Sequence, residues 1–155
     1  MSEDKFCYEG GCHCGAISLK IESHLAASDR ATRACGCSFC ATRGALYATD
    51  PNDRVTFQAK DETALQRYRF GHGSADFLLC HHCGGFLGAF MEAEDGGEWG
   101  YAVPNLQNLS ESNLFPAPSG APMDYDNESE ADRLERRRAR WSRAQVKFGP
   151  GHFDK

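Results

Sequence analysis

The sequence predicts a mainly β protein of antiparallel strands, closed by one C-terminal helix. Three observations carry that expectation. Apolar and polar residues alternate over several short runs, most clearly Ile17, Leu19 and Ile21 against Ser18, Lys20 and Glu22. A period of two marks a half-buried strand. Turn clusters such as Asp50-Pro51-Asn52-Asp53 and Gly71-His72-Gly73-Ser74 punctuate the runs, and many short strands between glycine-rich turns make a mainly antiparallel sheet. Finally, all the cysteines but Cys7 fall in three tight sets, which a fold must bring together.

Taken in order, residues 1–6 read as frayed, and Cys7 as a small, semi-buried residue at the start of a strand. The Ile17–Ile21 strand follows the first cysteine pair, and residues 23–30 connect it onward. Arg33 leads into a three-cysteine loop, Thr42-Arg43-Gly44 leaves it, and Ala45-Leu46-Tyr47 is an apolar step. Val55 and Phe57 mark a short strand, and Asp61-Glu62-Thr63 turns the chain. Leu65 to Phe70 reads as a further strand with Tyr68 and Phe70 on one face. Ala75, Phe77 and Leu79 alternate up to Cys80, Phe86 to Met91 leads away, and Trp99, Tyr101 and Val103 alternate again. Residues 105–123, with Pro116, Pro118 and Pro122, form an ordered loop or surface arm.

Residues 127–143 read as one helix, capped by Asn127 or by Ser129 in a Ser129-x-x-Asp132 box. Glu128, Glu130 and Asp132 at its start and six arginines toward its end complement the helix dipole. Leu134 and Trp141, one heptad apart, dock it on the sheet, and the arginines are expected on a solvated face. The expected organisation is one zinc-binding domain over 1–155, with a core at about 8–104 and a C-terminal loop and helix arm over 105–155.

Composition excludes some classes of function. A formal net charge of −5 argues against a general nucleic-acid binder, which needs a basic face. No apolar run is long enough to span a membrane. The opening Met1-Ser2-Glu3-Asp4-Lys5 lacks an apolar signal region, so the expected compartment is the cytoplasm, where thiols stay reduced. There, eight cysteines point to metal rather than to disulfides.

The cysteine spacings suit zinc. In an extended segment, residues i and i+2 point to one side, so Cys12-His13-Cys14 presents two thiolates to one ion. Cys80-His81-His82-Cys83 closes the same bite by a turn, and Gly84 and Gly85 allow the tight backbone of a knuckle. The two pairs make a closed, four-thiolate structural site that staples distant segments. A redox role for Cys80 and Cys83 fits less well, because nothing helical follows them. Cys35, Cys37 and Cys40 leave two readings open. One is a second structural zinc with a fourth ligand elsewhere: Cys7, a histidine or a carboxylate. The other is an open site that accepts a substrate sulfur or oxygen. Cys35, beside Gly36, is the thiol expected to move. Arg33 and Arg43 bracket the loop, and Arg43 is expected to offset the cluster's charge or to hold a substrate carboxylate.

The three-part pattern of Gly11-Cys12-His13-Cys14-Gly15, Cys35-Gly36-Cys37-Ser38-Phe39-Cys40 and Cys80-His81-His82-Cys83-Gly84 closely resembles the glutathione-dependent formaldehyde-activating enzyme family, which also includes centromere protein V. The resemblance covers about residues 8–104. It implies a β-rich fold of the β-tent type, a structural zinc on Cys12, Cys14, Cys80 and Cys83, and a catalytic zinc on Cys35, Cys37 and Cys40. It implies a carbon–sulfur lyase acting on a thiol–formaldehyde adduct, S-(hydroxymethyl)glutathione. The expected partner is therefore a small thiol such as glutathione, with neither nucleic acid nor membrane. No feature of the sequence sets an oligomeric state. The rival expectation is a non-enzymatic, zinc-stabilised binding module of the same fold.

Overall fold

The alternating runs become strands of one sheet in the computed structural model of the chain, which describes residues 5–118, 120–125 and 127–149. The strands are β1 (Phe6–Gly11), β2 (Ile17–Ser23), β3 (Arg54–Ala59), β4 (Leu65–Tyr68), β5 (Asp76–Cys80), β6 (Phe86–Met91), β7 (Gly100–Pro104) and β8 (Ser142–Phe148). Their order across the sheet is β1-β2-β3-β8-β7-β6-β5-β4. Neighbours run antiparallel except β3 and β8, which are parallel. The fold is mainly β with a helix near its C-terminus, as expected. The helices among the described residues are a single turn, α1 (Ser38–Ala41), and α2 (Glu130–Arg140), besides short 3-10 turns.

The largest departure from expectation lies at the C-terminal end. The helix expected over 127–143 stops at Arg140, because Trp141 takes extended backbone, φ −71° and ψ 153°, and its ring is buried. Ser142 to Phe148 then continues as β8. The expected arm over 105–155 thus contains, at Ser142–Phe148, the strand that fills the gap between β3 and β7; residues 150–155 lie outside the described residues. Ala144 pairs with Val55 on one side and Gly100 on the other, fully buried. Ala144, Val146 and Phe148 alternate with Arg143, Gln145 and Lys147, a strand signal overshadowed by the arginine-rich helix before it.

Two smaller differences follow from the same alternation. Phe6 and Lys5, part of the stretch read as frayed, lie within the described residues, and Phe6 opens β1 opposite Ser23; residues 1–4 lie outside the described residues. Because Phe6 and Tyr8 turn toward the core, Cys7 points outward and is exposed rather than semi-buried. β4 ends at Tyr68, two residues short of the expected Phe70.

The sheet has an apolar core on each face. Ile17, Leu19, Phe57, Leu78, Leu87 and Ala102 come from both halves of the sheet yet share one buried cluster, so the halves close over a common core. Tyr101 and Val103 flank Ala102 and point the other way, into a second cluster with Phe39, Phe86 and Trp141. That second cluster supports the three-cysteine loop and α2. From the expected 105–123 loop, Leu106, Leu109 and Phe115 are buried, and Leu109 forms a bridge with Gly10 of β1. A Cβ at Gly10 would lie 2.0 Å from the Asn108 carbonyl oxygen, so only glycine admits this approach.

Candidate metal centres and the adjoining cavity

The structure brings Cys12 and Cys14 together with Cys80 and Cys83, with all four sulfurs within 4.8 Å of one another. Cys14 Sγ lies 3.7 Å from Cys12 Sγ and 3.5 Å from Cys80 Sγ. Each pair sits on a tight turn. In the first, the Cys12 N–H donates to the Ile17 carbonyl and Gly15 turns the chain with φ 83°. In the second, the Gly84 N–H donates to the Cys80 carbonyl with φ 78°. The Ile17 N–H donates to Cys12 Sγ at 3.3 Å, and the Cys83 N–H donates to Cys80 Sγ at 3.5 Å. Such donors stabilise sulfur anions. Burial pushes the Cys80 thiol up to about 12. Cys83 is drawn down to about 6: burial opposes the change, but backbone donors from Cys14 and Gly85 and contacts with Cys80 and Cys14 outweigh it. Four converging thiols of this kind suit zinc, which favours tetrahedral sulfur ligation. His13, His81 and His82 are exposed.

Cys35, Cys37 and Cys40 form a second group whose sulfurs also lie within 4.8 Å of one another. Cys37 caps α1, and the Cys40 N–H donates to its sulfur at 3.4 Å. Cys40 Sγ lies 3.0 Å from the buried Tyr47 hydroxyl. Tyr47 is in turn held by paired backbone hydrogen bonds with Arg33, each 2.8 Å. Among the described residues, no fourth cysteine, histidine, aspartate or glutamate joins the group. Cys7, one candidate fourth ligand, is paired opposite Glu22 on β1 instead. The Cys35 thiol is drawn down to about 6, chiefly by a hydrogen bond from the Cys40 thiol, and Arg136 contributes. The same contact and burial push Cys40 upward. Cys35 was expected to move because Gly36 adjoins it, yet the backbone there is fastened. The Gly36 N–H donates to the Met123 carbonyl, and the Met123 N–H donates to the Ala34 carbonyl, both at 2.8 Å.

The three-thiol group opens on a cavity of about 400 Å³. The cysteine loop forms one wall, with Tyr47 and His72. Phe77, Ala89 and Val103 of the sheet form another, and Arg133, Arg136, Arg137 and Trp141 close it. None of the four cysteines of the first group lines it.

Arg43 does not line the cavity. Its guanidinium stacks 3.8 Å from the Phe39 ring centroid and donates to the Phe39 carbonyl at 3.2 Å. It packs on the outer side of an aromatic group that includes Phe39, Phe70, Phe77 and Phe86. The cationic residues of the cavity are Arg33 and three arginines of α2 instead. Arg138 and Arg140 are exposed as expected, whereas Arg137 is 7% exposed. Arg137 lies three positions after Leu134 and four before Trp141, on the stripe that docks the helix. That spacing was the available signal for an inward arginine.

α2 begins where expected, with Ser129 Oγ accepting from the Asp132 N–H at 3.1 Å. Glu128 just before it accepts from Arg136 at 2.8 and 3.0 Å and from Arg133 at 3.3 Å. Arg136 also stacks 3.8 Å over Tyr125, so helix and preceding strap form one clasp on the cavity. No helix among the described residues is long and apolar enough to cross a membrane.

No family model and no curated protein matches the chain. A solved crystal structure of a Rhodobacter sphaeroides protein, a structural-genomics target, is similar to it, with 29% identity and a TM-score of 0.51. The likeness covers 71% of this chain and 97% of that one. The β-rich fold thus has a counterpart in a solved structure, and the reading of the cysteine groups rests on their own geometry.

Proposed function

We propose that the chain is a zinc-dependent carbon–sulfur lyase-type enzyme, acting in the cytoplasm on a small thiol–aldehyde adduct such as S-(hydroxymethyl)glutathione. One observation carries the reading: a three-thiol group faces a cavity of about 400 Å³, while a separate four-thiol group lies outside its walls. Four thiolates fill a zinc ion's ligand sphere and serve structure, whereas three leave a position for substrate.

Cys35, Cys37 and Cys40 would hold the zinc, which would supply a Lewis acid that stabilises a sulfur anion. The remaining work falls to the chain's own groups. Burial and the neighbouring thiolates keep the Tyr47 hydroxyl protonated, so it orients Cys40 Sγ by donating to it. Arg33 and Arg136, both on the cavity wall, offset the negative charge of three thiolates. The apolar wall of Phe77, Val103 and Trp141 limits water around the reacting carbon.

In the cleavage direction, the carbon–sulfur bond of the hydroxymethyl adduct breaks and its electron pair stays on sulfur. The hydroxyl proton leaves as the aldehyde carbonyl forms. His72, on the cavity wall, is the residue proposed to take that proton. In the reverse direction, the thiolate attacks formaldehyde and the proton returns. Arg43, packed on Phe39, has no part in this reading.

Exchange spectroscopy on glutathione and formaldehyde tests the proposal, after subtraction of the uncatalysed exchange. Wild type accelerates exchange above that background, and Cys37→Ala abolishes the gain while remaining folded. No acceleration with glutathione or with several other small thiols rejects the lyase reading and leaves the zinc-stabilised binding module.

A further inference from the structure

The cavity carries positive charge that the described residues do not pair. Arg133 and Arg136 share Glu128. Arg137 has no carboxylate within ion-pair distance among the described residues, and its Nε, although buried, has no hydrogen-bond partner there. Its Nη1 donates to Ser74 Oγ at 2.8 Å, and its guanidinium carbon stands 4.8 Å from the Trp141 ring centroid. Burial and the nearby Arg133 and Arg136 draw its pKa down to about 10, so it remains a cation at neutral pH. A buried guanidinium without an anionic partner is unfavourable. Nothing in the cysteine pattern requires one at this position.

We propose that Arg137 and Ser74 form a carboxylate-binding site that selects thiols bearing an acid group. The Ser74 oxygen accepts from Arg137, which leaves its own hydroxyl proton to donate to a bound carboxylate. Arg137 supplies the charge and further N–H donors. Phe77, Val103 and Trp141 line the same cavity and suit the short carbon chain between carboxylate and sulfur. The sulfur then lies toward the Cys35 group. That last placement rests on the lyase reading above, whereas the carboxylate site does not.

The test uses the zinc-loaded full-length protein, titrated calorimetrically with 3-mercaptopropionate and with 2-mercaptoethanol. The two ligands share a thiol and a two-carbon chain and differ in the carboxylate. Wild type is expected to bind the acid about ten- to a hundredfold more tightly, as a charge-assisted contact implies. Arg137→Gln removes most of that preference, and Arg137→Lys restores part of it. A wild-type ratio near one overturns the inference. So does an Arg137→Gln protein that keeps the wild-type ratio while holding zinc less firmly, since Arg137 would then only offset the thiolates.

If Arg137→Gln fails to fold, propionate is added instead to isotope-labelled wild type, and the Arg137 Nε–H signal is followed by NMR. A saturable shift supports the site, and an unmoved signal overturns it. Propionate has no thiol, so the two proposals separate. A shift without catalysed thiol–formaldehyde exchange keeps the carboxylate site and rejects the lyase. Exchange without a shift does the reverse.

Discussion

Replacing Cys83 by alanine removes one sulfur from the group that joins the β1–β2 turn to the β5–β6 turn. Those turns belong to opposite halves of the sheet. Cys14 and Cys80 stand 66 positions apart, so a metal there closes a long loop. Treated as a cross-link of that length, the staple contributes about 4 kcal/mol by the chain-entropy relation. Set against a total stability of roughly 5–15 kcal/mol, such a loss is large. At about 2–4 °C per kcal/mol for a chain of this size, Tm falls by about 10 °C, and the loosened sheet aggregates on heating.

Cys37→Ala is the internal comparison. Its group spans only Cys35 to Cys40, within a loop already fastened to Met123 and Tyr47, so the metal there closes little chain. The loop-length difference alone makes its structural contribution smaller by about 2 kcal/mol. Circular dichroism melts of both variants, with and without a zinc chelator, provide the assay. Chelator lowers the wild-type Tm and changes Cys83→Ala little. Equal and severe destabilisation by both variants, or a Cys83→Ala melt within about 2 °C of wild type, refutes the division into structural and open sites.

Three further outcomes are expected. Protein purified gently under reducing conditions carries up to two zinc ions, the Cys35 group holding its ion more weakly; folded protein with only trace metal and reactive thiols would remove the zinc reading. Tyr47→Phe deletes the 3.0 Å contact with Cys40 Sγ and should weaken metal retention at that group by about tenfold, measured by competition with a chromophoric chelator; unchanged affinity would deny Tyr47 a role. Arg136, then Arg133, holds Glu128 below its ordinary 4.5, so the clasp's contribution is complete above that pH and is lost as the pH falls through the lowered value. Trp141 fluorescence should report this acid transition, and its persistence in Glu128→Gln would assign it to other groups.

Much of this protein follows from neighbouring residues alone. Alternation at Ile17–Ile21 and the Phe77–Leu79 run marked strands, because side chains two apart share a face whatever the sheet order. The cysteine spacings marked two groups able to hold a metal for the same local reason: a two- or three-residue bite is set by the backbone. Ser129 was legible as a cap because capping is settled within one turn. Phe6–Gly11 and Ser142–Phe148 also alternate, but the first lies against a chain end and the second follows an arginine-rich helix, and those local signals mask the alternation.

Tertiary structure decided the rest. Only the placement of β8 between β3 and β7 makes the C-terminal segment integral to the sheet, since strand order depends on pairings far apart in sequence. Only docking separates Arg137, buried beside Trp141, from Arg138, exposed one position later. The same docking gives the cavity its cations from α2, while Arg43, three positions beyond Cys40 in sequence, packs on the outer side of Phe39. Sequence proximity to a ligand loop says little about which guanidinium enters the site, because the direction of a long side chain is set by the surfaces that meet there.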